Sequence, residues 1–215
     1  DGDNEVVAPS YSPSPLEGSF GVPYGGWVLA FDGDEGGEPL YSFFTNEDRH
    51  ITDIELGNLD GQPGVEIAVI TEDMDNTLYA IDIDNPSEQE LWRYDMSWPN
   101  TYYGESLAIG DVDRDYKNEV VAASSASPHY LYAFDALDKN GDGVGDMVWA
   151  PFNVEYAITD VELGDLDGDG DQDVVFGTRS PKTIYAITNM EEPFTSSTGT
   201  GTVYIDSDPS TIGNP

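Results

Sequence analysis

Residues 161–177 read VELGDLDGDGDQDVVFG, with aspartate at every second position: Asp165, Asp167, Asp169, Asp171 and Asp173. Five carboxylates this close repel one another at neutral pH, so a compact fold here calls for a cation. Calcium suits the loop, because it takes six to eight oxygens at ~2.3–2.6 Å in flexible geometry. Magnesium demands a stricter octahedron and keeps its waters. Gly168 and Gly170 let the chain turn back around an ion. The plain alternative is an acidic, solvated turn, and the alternation of oxygen donors argues against it.

Three more acidic loops lead into β-type runs: DGDNEVV from Asp1, GNLDGQPGVEIAVI from Gly57 and GDVDRDYKNEVV from Gly110. Their last acidic residues are Glu5, Glu66 and Glu119, with Asp173 as the fourth, at intervals of 61, 53 and 54 residues. A second motif keeps the same beat: VLAFD at Val28, LYAID at Leu78, LYAFD at Leu131 and IYAIT at Ile184. Two motifs repeating in phase predict a repeated architecture.

The elements that position the loops are short strands. Ile51–Gly57, Val65–Thr71, Thr77–Ile83 and Glu90–Asp95 make one unit; Glu105–Asp111, Glu119–Ala123, His129–Asp135 and Met147–Phe152 make the next. The fourth unit gives Ala157–Asp165, Asp173–Arg179 and Thr183–Thr188, with no evident fourth strand. In the first, Glu5–Pro9, Gly26–Asp32 and Pro39–Phe44 are predicted strands, and Ser10–Gly26 reads as a long loop. The strand and first ligands expected ahead of Asp1 are missing, which predicts a portion of something longer. No useful helical periodicity occurs.

Four strands per unit at this period predict an all-β fold of β-propeller type, about four four-stranded blades, alone or within a larger propeller. Approximate bounds are 1–47, 48–101, 102–154 and 155–189, followed by a Ser/Thr/Gly-rich connector and terminal strand over 190–215, with TVYID at Thr202–Asp206. If that strand adds to a sheet edge, it closes the chain's own ring or joins a neighbouring copy. The alternative is that missing blades cover the edge.

GDLDGDGDQDVV and GDVDRDYKNEVV resemble the loops of FG-GAP and VCBS repeats, the calcium-binding blades of integrin α-type propellers. The likeness covers nearly the whole chain to about Thr188. It implies ligands from positions one, three, five and nine, with a main-chain carbonyl at seven. Carried over, these are Asp165, Asp167, Asp169 and Asp173 with the Asp171 carbonyl, and Asp111, Asp113, Asp115 and Glu119 with the Lys117 carbonyl. The loop at Asn58 departs from the pattern. It offers Asn58, Asp60, Gln62 and Glu66 with Gly64 at seven and Pro63 where glycine is usual, and its lower charge implies weaker binding. Asp1, Asp3 and Glu5 match positions five, seven and nine. Outside the frame, DKNGDGVGD places Asp138, Asn140, Asp142 and Asp146 at one, three, five and nine, with Val144 at seven. It resembles the calcium loops of dockerins and thrombospondin type 3 repeats.

Composition narrows the partners. There are 43 acidic and 7 basic residues, a formal charge of -36. That excludes nucleic acid and anionic membrane surfaces, which need Lys and Arg. The same excess predicts adaptation to a saline exterior, since screening shortens to ~3 Å at 1 M salt. With no cysteine for disulfides, bound ions are the expected staples. Tyr41, Trp92 and Trp149 follow the LYAID-like motifs and are expected between adjacent blades. His50 and His129 stand outside any HExxH. Two function classes remain. One is a non-catalytic extracellular module in adhesion, a surface layer or a filament, bound to a protein or glycan surface ligand or to copies of itself. The other is a carbohydrate-active enzyme resembling propeller-type polysaccharide lyases, which the shortage of basic residues disfavours.

Overall fold

The computed structural model describes residues 6–13, 24–32, 38–47, 50–72, 76–83, 89–96, 104–166, 168, 170, 172–180, 182–187 and 203–206. Among them are fifteen strands in four antiparallel sheets and no helix. The first sheet is β1 (Val6–Pro13), β2 (Tyr24–Phe31) and β3 (Tyr41–Glu47). The second is β4 (His50–Gly57), β5 (Glu66–Glu72), β6 (Thr77–Ile81) and β7 (Glu90–Asp95). The third is β8 (Gly104–Gly110), β9 (Glu119–Ser124), β10 (His129–Asp135) and β11 (Phe152–Val154). The fourth is β12 (Ile158–Gly164), β13 (Asp173–Thr178), β14 (Ile184–Ile187) and β15 (Val203–Asp206). Each sheet is a meander whose strands pair in chain order.

The sheets pack face to face in sequence. β4 rests on β1 and β2, β8 on β4 and β5, and β12 on β8 and β9. Three apolar cores fill the spaces between them, and strand alternation feeds each middle sheet into two cores. In β9, Val120 and Ala122 face the second sheet, while Val121 and Ala123 face the fourth. In β10, Tyr132 and Phe134 go one way, Leu131 and Ala133 the other. That two-sided burial explains why EVVAAS and EIAVIT read as nearly continuous apolar runs. Tyr41, Trp92 and Trp149 lie one in each core, as expected of aromatics between neighbouring sheets. Trp92 also donates its indole Nε1–H to the Ala136 carbonyl at 2.7 Å, tying the second sheet to the third.

Three predicted segments need correction. Ser10–Gly26 is not all loop: β1 runs on to Pro13 and β2 starts at Tyr24, paired Pro13↔Tyr24. Prolines 9 and 13 are tolerated because β1 is an edge strand. The outer strand of the third sheet is not Met147–Phe152 but Phe152–Val154. Val148 still donates to the Ala133 carbonyl at 2.9 Å, but then Trp149 turns into the core and Pro151 has no N–H to offer. The expected terminal strand is present as Val203–Asp206 and adds to the β14 edge as the last sheet's fourth strand, so that unit does not stop at 189.

β4, β8 and β12 each carry a bulge at the same place, skipping Thr52, Glu105 and Thr159. The bulge re-aims the following side chain, and in all three strands that residue is polar: Asp53, Ser106 and Asp160. Ser106 Oγ lies 3.1 Å from both Asp53 Oδ2 and Asp160 Oδ1, and Asp53 Oδ2 accepts the Leu107 amide at 2.8 Å. One hydroxyl thus links the first strands of three sheets, and each of those strands ends at an acidic loop.

Candidate metal centre

The four described loops share one hydrogen-bond frame. The carboxylate at position nine accepts the amide of position two: Glu66 from Leu59 at 2.5 Å, Glu119 from Val112 at 2.9 Å, Asp146 from Lys139 at 2.7 Å and Asp173 from Leu166 at 2.8 Å. The side chain at position one accepts the amide of position four, from Gly61, Arg114, Gly141 and Gly168, at 2.6–2.7 Å. Its second oxygen accepts from position six in three loops, from Tyr116, Gly143 and Gly170. In the 111–119 and 138–146 loops side chains at three and five accept in turn from five and seven, as Asp113 does from Asp115 and Asp115 from Lys117.

This frame forces positions four and six into left-handed backbone. Gly61, Gly141 and Gly168 at four have φ of 74°, 74° and 80°; Gly143 and Gly170 at six have 79° and 96°. In the 111–119 loop those places are held by Arg114 at 69° and Tyr116 at 66°, each costing about 1–2 kcal/mol relative to glycine. Pro63 can neither take positive φ nor donate an amide. In that loop the Asn58 side chain replaces the missing bond by donating Nδ2–H to the Gln62 carbonyl.

Among the described residues, one group of at least three potential ligands brings its atoms within 4.8 Å of one another: Asp111, Asp113 and Asp115. Behind them Glu119 is fully buried. Its Oε2 holds the Val112 amide and its Oε1 has no hydrogen-bond partner. Burial, with the charges of Asp113, Asp115 and Asp111 adding to it, pushes the Glu119 carboxyl up to about 8. Asp113 is also raised, by burial and then by Asp115. Asp115 is lowered, chiefly by the Lys117 Nζ that donates to its Oδ2 at 2.9 Å.

The donor set fits a metal ion, and the orphan Glu119 oxygen is the observation that tests it: a buried unpartnered carboxylate oxygen is costly unless a cation meets it. Asp111, Asp113 and Asp115 would hold the ion, and the family likeness adds Glu119, which lies outside their 4.8 Å group, and the Lys117 carbonyl. Its charge would offset the burial, and the neighbouring carboxylates, that raise Glu119.

The other predicted ligands stand differently. Asp165 and the buried Asp173 keep the frame, while Asp167, Asp169 and Asp171 lie outside the described residues, as do Asp1, Asp3 and Glu5. In the 138–146 loop, Asp138, Asn140, Asp142 and Val144 follow the frame, but both Asp146 oxygens are already bonded, to the Lys139 amide and Asn140 Nδ2. Four backbone amides, Gly143 foremost, hold Asp138 below the usual carboxylate range. This loop also leaves its own sheet. The Arg93 amide donates to the Gly143 carbonyl and the Arg93 carbonyl accepts from the Gly145 amide, both at 3.1 Å, adding 143–145 to the outer edge of β7. In the 58–66 loop, Asp60 and Glu66 are the only carboxylates, and Gln62 and Gly64 bring no charge.

One residue escaped the sequence reading. Asn118, at position eight, donates Nδ2–H at 2.9 Å to the Asn58 carbonyl in the loop of the preceding sheet. Gln172 holds the same position in the fourth sheet and lies against Gly110. Amide side chains at position eight of two loops were the available signal.

Neither the models of known protein families nor the curated proteins match the chain. The likeness to FG-GAP and VCBS repeats therefore rests on the loop residues themselves.

Proposed function

We propose that this chain is a non-catalytic, calcium-stabilised module of propeller-type blades that works outside the cell, in adhesion or as a subunit of a surface layer or filament. The partner in this reading is a protein or glycan surface ligand, or copies of the chain itself. The observation that carries it is the fully buried Glu119 carboxylate, with one oxygen orphaned, behind three convergent aspartates. Oxygen-only donors in a glycine-assisted loop favour calcium over softer metals. Serial face-to-face packing of four antiparallel meanders supports propeller blades.

The acidic side chains spend themselves on loop amides rather than on an open cleft. Arg93, Lys117, Lys139 and Arg179 each pair with a carboxylate, which leaves little for an acidic sugar. The test is thermal melting with saturating calcium and with excess chelator. A ligand at about a hundred times its Kd stabilises by about 2.7 kcal/mol, so the chelated protein melts several degrees lower. Superimposable curves would end the calcium reading, and cleavage of an acidic polysaccharide in calcium would end the non-catalytic one.

A further inference from the structure

The 58–66 and 111–119 loops form a cleft of about 290 Å³ between the second and third sheets. Asn58, Leu59 and Gly61 line one side, and Tyr116, Lys117 and Asn118 the other. Its volume sits at the low end of the ~300–1,000 Å³ typical of small-molecule sites, so it suits one ring-sized unit rather than a folded partner. The Asn118 bond to the Asn58 carbonyl, 2.9 Å long, ties the two sides together.

Tyr116 is the anomaly in this cleft. The loop frame imposes left-handed backbone at position six, where Gly143 and Gly170 stand in two other loops. Tyr116 takes that place at φ 66°, yet its side chain is 97% exposed. Glycine would relieve the backbone, and a ring so bare gains little from packing. A side chain held on strained backbone at the rim of a cleft points to a use beyond folding. The backbone that carries the ring is fixed, because the Tyr116 amide donates to Asp111 Oδ2 at 2.9 Å. Between the third and fourth sheets, positions six and eight hold Gly170 and Gln172, and Gln172 lies against Gly110. That junction offers no ring.

The other polar chemistry of the cleft is that of an amide, which has two N–H donors and an acceptor oxygen. Asn118 donates one N–H to Asn58 and is left with the other beside its Oδ1. A donor and an acceptor side by side match two adjacent hydroxyls of a sugar. The electron-rich face of a tyrosine ring attracts the polarised C–H groups on a sugar's apolar face. Charge decides the rest. Lys117 Nζ is paired with Asp115 at 2.9 Å, and the chain carries a formal charge of -36, which repels an anionic sugar. We propose that this cleft binds a neutral saccharide unit, stacked on Tyr116 and read by the Asn118 amide. The proposal rests on the glycan branch of the proposed function and gives that branch its site, and it does not depend on which ion fills the loops.

Saturation-transfer difference NMR on the whole chain tests it, in calcium and again in chelator. The probes are the methyl glycosides of glucose, galactose, mannose and N-acetylglucosamine. Methyl galactosiduronate is the anionic control and N-acetyl-lysine amide the cationic one. The wild type is expected to transfer saturation to the ring protons of at least one neutral glycoside and to neither control. Tyr116→Gly should weaken that binding by about tenfold or more while melting no lower than the wild type, because glycine suits the backbone there. Tyr116→Phe keeps the ring face and should bind nearly as well. Asn118→Ala should weaken binding by about tenfold; melting checks its fold, and Tyr116→Gly decides alone should that fold be disturbed. Absence of transfer to every neutral glycoside overturns the proposal, as does binding that a folded Tyr116→Gly or Asn118→Ala leaves intact. Transfer to either charged control alone overturns it in favour of a charged ligand. The chelator melting shift is scored separately, so glycoside binding without a shift, or a shift without binding, tells which of the two readings has failed.

Discussion

Loops 58–66 and 111–119 sit on neighbouring sheets and share a backbone frame, yet they handle its charge in opposite ways. In the first, Asn58 donates to the Gln62 carbonyl and closes the loop with its own amide. In the second, Asp111 can only accept, and three aspartates converge in front of a buried glutamate. Glu66 and Glu119 hold the same place and the same amide bond, and burial raises both. Only Glu119 has a large shift, chiefly because its carboxyl is the more deeply buried, with three aspartates adding to it. The less acidic loop closes on its own side chain, whereas the more acidic loop is left with a buried carboxylate oxygen that has no hydrogen-bond partner. The capacity to take a cation therefore depends on which donors are absent as much as on which acceptors are present.

The largest expected effect separates the two glutamates. Glu119→Gln keeps an acceptor for the Val112 amide but removes the charge. In chelator it should raise stability by about 1–3 kcal/mol by relieving a buried, unmatched carboxylate. In calcium it should lower stability by a similar amount as the ion's contribution is lost. Glu66→Gln should show no such reversal. Equal losses for Glu119→Gln in both buffers would make the carboxylate merely structural.

Acidification is the next test. Glu119 titrates near 8 in the fold against 4.5 for an ordinary glutamate, so the folded protein holds a proton that the unfolded chain releases. That stabilisation is complete below about pH 4.5 and is lost as pH rises through about 8. In chelator, melting temperature should therefore climb as pH falls from about 8.5 to about 6. In calcium the trend should vanish or invert, because the ion requires the ionised carboxylate. Parallel profiles in the two buffers would contradict a shared site.

Asn58→Asp converts the self-closed loop toward the acidic kind. Loss of the amide bond to Gln62 should cost about 1 kcal/mol in chelator, and calcium should restore part of it. A cation-independent loss would show that Pro63 alone keeps the loop from adopting the acidic form. The smallest effect is expected at Lys117, whose ammonium occupies Asp115 Oδ2. Lys117→Met frees that oxygen and should tighten calcium binding by about twofold to fivefold, measured by titration calorimetry.

Much of the loop geometry was legible because it is local. Alternating acceptors bond amides two to five residues away, and left-handed φ at positions four and six selects glycine, so Gly168, Gly170, Gly141 and Gly143 announced the turns. Arg114 and Tyr116 concealed the same turn, because the frame imposes positive φ on whatever residue stands there. The repeat of apolar runs likewise announced four sheets, since strand alternation is a property of the chain. The end of β10 was different. Met147–Phe152 alternates like a strand, but Trp149 found a place in the core between the third and fourth sheets and Pro151 had no amide for β10.

Residue types and their spacing were enough to place four acidic loops between strands. Burial and partnership were decided only when the sheets stacked. Glu66 and Glu119 are alike in sequence, but Glu119 lies behind three aspartates brought together by the fold. Asn118 reaches Asn58, 60 residues away, and Ser106 stands between Asp53 and Asp160. Leu59, Val112 and Leu166 occupy one position in the repeat, and two of them are core because a following sheet covers them, while among the described residues none covers the third. A hydrophobic period states which residues want cover; what covers them depends on contacts between segments far apart in the chain.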